Sequence, residues 1–109
     1  MHSDAAVRAL GALAQDHRLA AYRLLVQAGP AGLPAGVLAD RLGVPASSMS
    51  FHLAQLTHAG LIAQRRQGRS LIYSADFAAM NALMGYLTEN CCGRGSCSEA
   101  ALAPACVAC

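Results

Sequence analysis

The stretch LGVPASSMSFHLAQLTHAGLIAQRRQGRSLIYS, residues 42–74, decides the fold. Gly43 suits the left-handed turn that ends one helix, and Pro45 suits the first turn of the next helix. Apolar or small residues then recur at i, i+4, i+7 and i+11 from Met49 to Gly60. This spacing predicts a helix with one face turned toward the core.

A β-hairpin is expected directly after this helix. Residues 61–66 and 69–74 have the composition of strands, and Gln67-Gly68 marks the turn between them. A helix, a tight turn, a second helix and an arginine-tipped hairpin, in this order, are typical of a winged helix-turn-helix.

Apolar residues at helical spacing predict the other helices. The expected spans are about 4–14, 16–28 and 32–43 before the quoted helix and 76–89 after the hairpin. The first helix has an apolar stripe on one side, formed by Val7, Leu10, Leu13 and Ala14. The predicted fold class is therefore mainly α (α+β), a winged helix-turn-helix of about five helices with a two-stranded β-hairpin wing.

The length of 109 residues and the 55% hydrophobic composition fit one compact domain. We assign residues 1–89 to this domain and residues 90–109 to a cysteine-rich tail. The sequence shows neither a secretory signal nor an apolar run of membrane-spanning length. We therefore expect a cytoplasmic protein with no membrane partner.

The distribution of charge is more informative than the net charge of +2. From Arg41 to Ala75 the chain has no acidic residue, whereas acidic residues occur on both sides of this segment. This pattern favours a face that meets phosphate. The alternative is a chance gap in a weakly charged protein.

The DNA-contacting candidates lie on the second helix of the motif and on the hairpin. They are Ser47, Ser48, Ser50, Phe51, His52 and Gln55 on the helix and Arg65, Arg66 and Arg69 on the hairpin. The polar helix side chains can bond phosphates and base edges, Phe51 can touch a thymine methyl group, and the arginines can pair with phosphates. In the alternative interpretation the serines cap their helix, Phe51 packs on the wing and His52 is structural.

An enzymatic function is not expected. The sequence has no paired carboxylates, no Ser-His-Asp set and no phosphate-cradling glycine loop. Two other classes stay open: a metal-scavenging protein, and an arsenate-reducing enzyme with Cys91 as its nucleophile.

Four segments in order resemble the ArsR/SmtB family of metal-responsive repressors, over about residues 5–88. They are Asp16-His17-Arg18-Leu19, SSMSFHL at 47–53, LTHAGLI at 56–62 and RRQGR at 65–69. The resemblance implies a homodimer on a palindromic double-stranded operator, with the first and fifth helices forming most of the subunit contact. It also implies repression that ligand binding relieves. Pro45-Ala46 stands where Ser-Gln is common in the family.

Two sensor sites of the resembled family are absent from this sequence. GVLAD at 36–40 replaces the Cys-x-Cys-Asp pattern of arsenic sensors, and the fifth helix has no histidine for a zinc site. The remaining candidate ligands are Cys91, Cys92 and Cys97. Their position resembles that of the cysteines in an arsenic-responsive subgroup, which lie at the end of the fifth helix. Trivalent arsenic is soft and favours three thiolates in a pyramid, so we predict As(III) as the inducer.

Other ligands of the tail stay open. Sb(III) is a related candidate, and methylated As(III) needs fewer thiols, so that Cys91 and Cys92 would serve it alone. Zinc prefers four ligands, and Cys97, Cys106 and Cys109 with one of the first pair would supply them. Thiol oxidation to a disulfide is a further alternative.

Overall fold

A computed structural model describes residues 1–89 of the chain. The elements are α1 (Ser3–Leu13), α2 (Asp16–Ala28), a 3₁₀ turn (Gly29–Ala31), β1 (Leu33–Pro34), α3 (Ala35–Leu42), α4 (Ala46–His58), β2 (Ile62–Gln67), β3 (Ser70–Ala75) and α5 (Phe77–Leu87). The five predicted helices are confirmed, with ends shifted by a few residues. Within residues 1–89, no helix combines the length and the apolar character needed to cross a membrane.

The inner face of α4 forms the centre of the core. Met49, Leu53 and Leu56 are completely buried, and they share one apolar cluster with Leu25 of α2 and Leu38 of α3. Burial of each of these side chains contributes about 1.5–3 kcal/mol. The face predicted from the spacing of apolar residues is therefore the face that holds α4 against the domain.

The turn between α3 and α4 sets the angle of the helix-turn-helix. Gly43 is left-handed, with φ +66°, and its N–H donates to the Asp40 carbonyl at 3.3 Å. The Val44 N–H donates to the Ala39 carbonyl at 3.1 Å. These bonds satisfy carbonyls that the end of α3 leaves open, so the chain turns sharply into α4.

The sheet has three antiparallel strands instead of the two predicted. Its order is β1-β3-β2, and β1 pairs with β3 through Leu33↔Tyr73 and Pro34↔Ile72. The segment around Pro34 was expected to open the third helix, but two residues of extended chain precede that helix. A two-residue strand is too short to show alternation, and its partner lies far away in sequence.

Val7 and Leu10 of the apolar stripe predicted for α1 face outward from the monomer, whereas Leu13 packs against the core. Ala6 and Ala9 make the buried contact, whereas Val7 is 66% exposed. On α5, Leu83 is buried but Met84 is 56% exposed. Five large apolar side chains of α1, α2 and α5 are exposed, and we call them the outer apolar surface. They are Val7, Leu10, Leu19, Met84 and Leu87.

Gly32 lets the chain cross closely over the sheet. Its φ of +71° is one that L side chains rarely adopt. A Cβ at this position would overlap the Tyr73 carbonyl oxygen and lie 2.9 Å from Ile72 Cγ2. Gly29 has a similar φ of +74°, but a Cβ there would meet nothing within 4 Å.

We expect Gly32→Ala to destabilise the fold more than Gly29→Ala. Backbone strain alone costs about 1–3 kcal/mol, and only Gly32→Ala adds the overlap with the sheet. Urea unfolding followed by circular dichroism measures both free energies of unfolding. Equal losses in the two variants would contradict the close approach at Gly32.

Candidate nucleic-acid interface

The outer face of α4 is a polar and accessible surface. Ser47, Ser50 and Gln55 are exposed there, Ser48 is half-buried, and Phe51 is 57% exposed. Because the opposite face is buried in the core, these side chains face away from the domain. All six predicted helix contacts therefore keep access to solvent, and Ser48 and His52 have less of it than the other four.

The serines do not cap their helix. Pro45 occupies the N-cap position of α4, and no side chain hydrogen-bonds to this helix end. Their hydroxyl groups therefore remain free to donate to or accept from an outside partner. This finding removes the capping alternative for Ser47 and Ser48. The exposure of Phe51 likewise gives no sign of packing on the wing.

The three arginines of the hairpin have different surroundings. The Arg65 guanidinium donates to the carbonyl oxygens of Pro30 at 3.3 Å and Ala31 at 2.9 Å. Arg65 therefore ties the hairpin to the 3₁₀ turn. Arg66 and Arg69 are exposed near the tip, where Arg69 follows the left-handed Gly68. They are the arginines best placed to meet phosphate.

His52 lies to the side of the outer face. Its ring centroid is 5.6 Å from that of His17 on α2 and 5.8 Å from that of Phe51. Its Nδ1 is buried and has no hydrogen-bond partner within residues 1–89. Burial lowers the pKa of His52, and the nearby positive charge of Arg18 and the His17 ring lower it further. This placement favours the structural interpretation of His52.

Several contacts near the interface have no signal in the sequence. The bonds from Arg65 join residues 34 and 35 positions apart, and the His17–His52 contact joins two different helices. Only the folded arrangement brings these groups together.

The predicted cysteine ligands Cys91, Cys92 and Cys97 lie outside the described residues, as do Cys106 and Cys109. Among residues 1–89, no three His, Cys, Asp or Glu side chains are grouped as metal ligands would be.

Comparison with known proteins agrees with this geometry. A family model described as a helix-turn-helix domain matches residues 13–65. The HTH-type transcriptional regulator YgaV of Escherichia coli is 32% identical over 90 residues, which cover 83% of this chain and 89% of YgaV. An ArsR-like transcriptional regulator from Rhodococcus is 28% identical with a TM-score of 0.69, over 78% of this chain and 77% of that chain.

The chain belongs to the ArsR family of transcriptional regulators.

Two other solved structures are similar to this ArsR-family regulator. One is a homodimeric winged helix-turn-helix DNA-binding domain from Mycobacterium bovis, 28% identical, with a TM-score of 0.63 and coverage of 80% and 81% of the two chains. The other is a possible transcriptional regulator for arsenical resistance, 29% identical, with a TM-score of 0.60 and coverage of 72% and 82%.

The family assignment identifies the motif formed by α3 and α4 as a DNA-binding helix-turn-helix. This ArsR-family regulator has a helix-turn-helix DNA-binding domain and is not an enzyme, as the sequence predicts. In such a domain the second helix of the motif enters the major groove, because only that groove admits a helix, and the wing meets the flanking backbone.

We expect the stability of the regulator to fall at mildly acidic pH because of His52. The folded chain favours the neutral ring, so this contribution is complete above the ordinary pKa of 6.5 and is lost as the pH falls below it. The melting temperature should therefore decrease between about pH 7.5 and pH 5.5, and less steeply in His52→Gln. Identical slopes in the wild type and in His52→Gln would rule out this role of His52.

Proposed function

We propose that this regulator is an arsenite-responsive repressor. It binds operator DNA as a homodimer and dissociates when As(III) is bound by Cys91, Cys92 and Cys97. One observation carries the DNA-binding half of the proposal: the uncapped serine face of α4 is exposed beside an arginine-tipped hairpin. We place this activity in the cytoplasm, where thiols stay reduced.

The outer apolar surface supports the homodimer. Val7 and Leu10 on α1 and Met84 and Leu87 on α5 are exposed, although they are large apolar side chains. Burial against a second copy would remove this apolar area from water. The similar Mycobacterium bovis domain is homodimeric, which agrees with this use of α1 and α5.

The order of elements supports a link between the tail and DNA binding. α5 ends at Leu87, and Cys91 follows it by four residues. Closing a thiolate site there would act directly on a helix of the proposed dimer contact. A change in the dimer would move the two wings relative to each other, so that they no longer match successive grooves.

The chemistry of the cysteines supports arsenite as the inducer. Three thiolates match the pyramidal coordination of trivalent arsenic, and soft ions select sulfur. Gly93 and Gly95 allow the chain to fold back between the cysteines, and Arg94 favours the thiolate form. The similarity to a possible regulator for arsenical resistance points the same way.

Arg66→Ala and Arg69→Ala should weaken binding to all duplexes alike, because a phosphate contact carries no sequence information. Each lost contact should reduce the slope of log K against log salt by about 0.9. Fluorescence anisotropy with an inverted-repeat operator and an unrelated duplex, at several salt concentrations, measures affinity and slope.

Arg65→Ala is the matched control for this experiment. It removes the same charge from the same hairpin, but its guanidinium is bound to the Pro30 and Ala31 carbonyls. We expect a loss of stability of about 1–3 kcal/mol, at about 0.5–1.5 kcal/mol for each of the two hydrogen bonds, and a smaller change in salt slope than in the other variants. Unchanged affinity and slope in both Arg66→Ala and Arg69→Ala would contradict phosphate contact by the wing.

Arsenite should release the wild-type regulator from its operator, and Cys91→Ser, Cys92→Ser and Cys97→Ser should each prevent release. A serine hydroxyl is a poor ligand for a soft ion, so each substitution removes one of three donors. The measurement is anisotropy of the operator complex titrated with arsenite. Antimonite, a methylated trivalent arsenical and zinc are titrated in parallel.

The double variant Cys106→Ser/Cys109→Ser is the control, and it should release the operator like the wild type. Release by arsenite in all three single variants would overturn the site. Release by zinc that requires Cys106 or Cys109 would identify the regulator as a zinc sensor.

A further inference from the structure

A second basic surface contains no residue of the hairpin. A notch of about 270 Å³ opens between α1, α2 and the second half of α4. Its lining contains Arg8 of α1, Arg18 of α2, and Gln55 and His58 of α4. None of the lining residues is acidic. Two guanidinium groups, one imidazole ring and one amide therefore surround the notch, and no carboxylate lines it.

One hydrogen bond holds Arg18 in place and leaves its other N–H donors for a ligand. Its Nε donates to the Ala12 carbonyl at 2.8 Å, which fixes the guanidinium at the edge of the notch. A guanidinium has five N–H donors, and this bond uses one of them. The two amino groups remain for a ligand, and their fork matches the oxygens of a phosphate.

The other polar groups of the notch are accessible. Arg8, Gln55 and His58 are exposed, so an anion reaches them without rearrangement of the core. The remaining lining residues are Gly11, Ala12 and Ala59. Because they have small side chains or none, the notch has room for a tetrahedral group. The notch therefore combines one guanidinium fixed by a hydrogen bond, that of Arg18, with accessible donors from two other helices.

We infer that this notch binds a phosphate group, with Arg8 and Arg18 as its charged contacts and Gln55 and His58 as further hydrogen-bond donors. Two sources of phosphate fit this chemistry. Gln55 and His58 belong to the helix that enters the major groove, so a backbone phosphate of the bound duplex is the source that the geometry favours. A free phosphate or another small tetrahedral oxyanion is the second source.

The first arm of the test titrates the free full-length protein with inorganic phosphate at constant ionic strength and follows its ¹⁵N–¹H spectrum. The amide signals of Gly11, Ala12 and Ala59 should shift and saturate. Arg8→Ala should abolish these shifts, and it leaves the bond from Arg18 to Ala12 intact. The control is Arg23→Ala, which removes an exposed arginine of α2 that lines a different groove, and it should shift like the wild type.

The second arm measures duplex affinity against salt for the same proteins. Only this arm rests on the proposed DNA binding. If the duplex supplies the phosphate, Arg8→Ala should lower the salt slope by about 0.9 for each notch that loses its contact, and Arg23→Ala should not. Phosphate shifts with an unchanged salt slope support the site and identify a free oxyanion as its ligand.

The inference is overturned if inorganic phosphate shifts none of these amides and Arg8→Ala matches Arg23→Ala in salt slope. It is also overturned if wild-type protein binds no duplex and shows no phosphate shift. Absence of duplex binding with specific phosphate shifts would instead count against the proposed repressor alone.

Discussion

Burial of one face of α4 is the constraint on which the rest of the domain depends. Met49, Leu53 and Leu56 are withdrawn from water by α2 and α3. Because the residues of a helix have fixed positions around its axis, burial of one face of α4 also determines which residues face outward. The exposure of the polar face of α4 is thus a consequence of core packing, and the hydrophobic effect that stabilises the fold also orients the second helix of the DNA-binding motif.

The hairpin needs a second support, because two exposed strands alone are marginal in water. Pairing of β1 with β3, the close passage of Gly32 over Tyr73 and the bonds of Arg65 to Pro30 and Ala31 provide it. These contacts join the wing to the segment between α2 and α3. The position of the wing relative to α4 is therefore set by the body of the domain, which leaves Arg66 and Arg69 free near the tip.

The same domain carries exposed features that its own packing does not use. The outer apolar surface on α1, α2 and α5 exposes large apolar side chains to water, and α5 leads directly into the cysteine-rich tail. A second copy on that surface and a thiophilic ion on that tail would act on one helix. The proposed sensing mechanism places the dimer contact and the inducer site next to each other, so the coupling requires no long path through the core.

The sequence by itself determined the helices, the helix-turn-helix, the arginine hairpin and the inner face of α4, because each depends on local spacing and turn chemistry. The nine DNA-contact candidates came from the same local patterns, and the metalloid site of the tail cysteines stays a prediction from the sequence. Only the tertiary structure decided the third strand, the outward direction of Val7 and Leu10 on α1, the separate role of Arg65 and the neighbours of His52. It also brought Arg8 and Arg18 to one notch with α4. These features join residues distant in the chain, and periodicity carries no information about which distant segments meet.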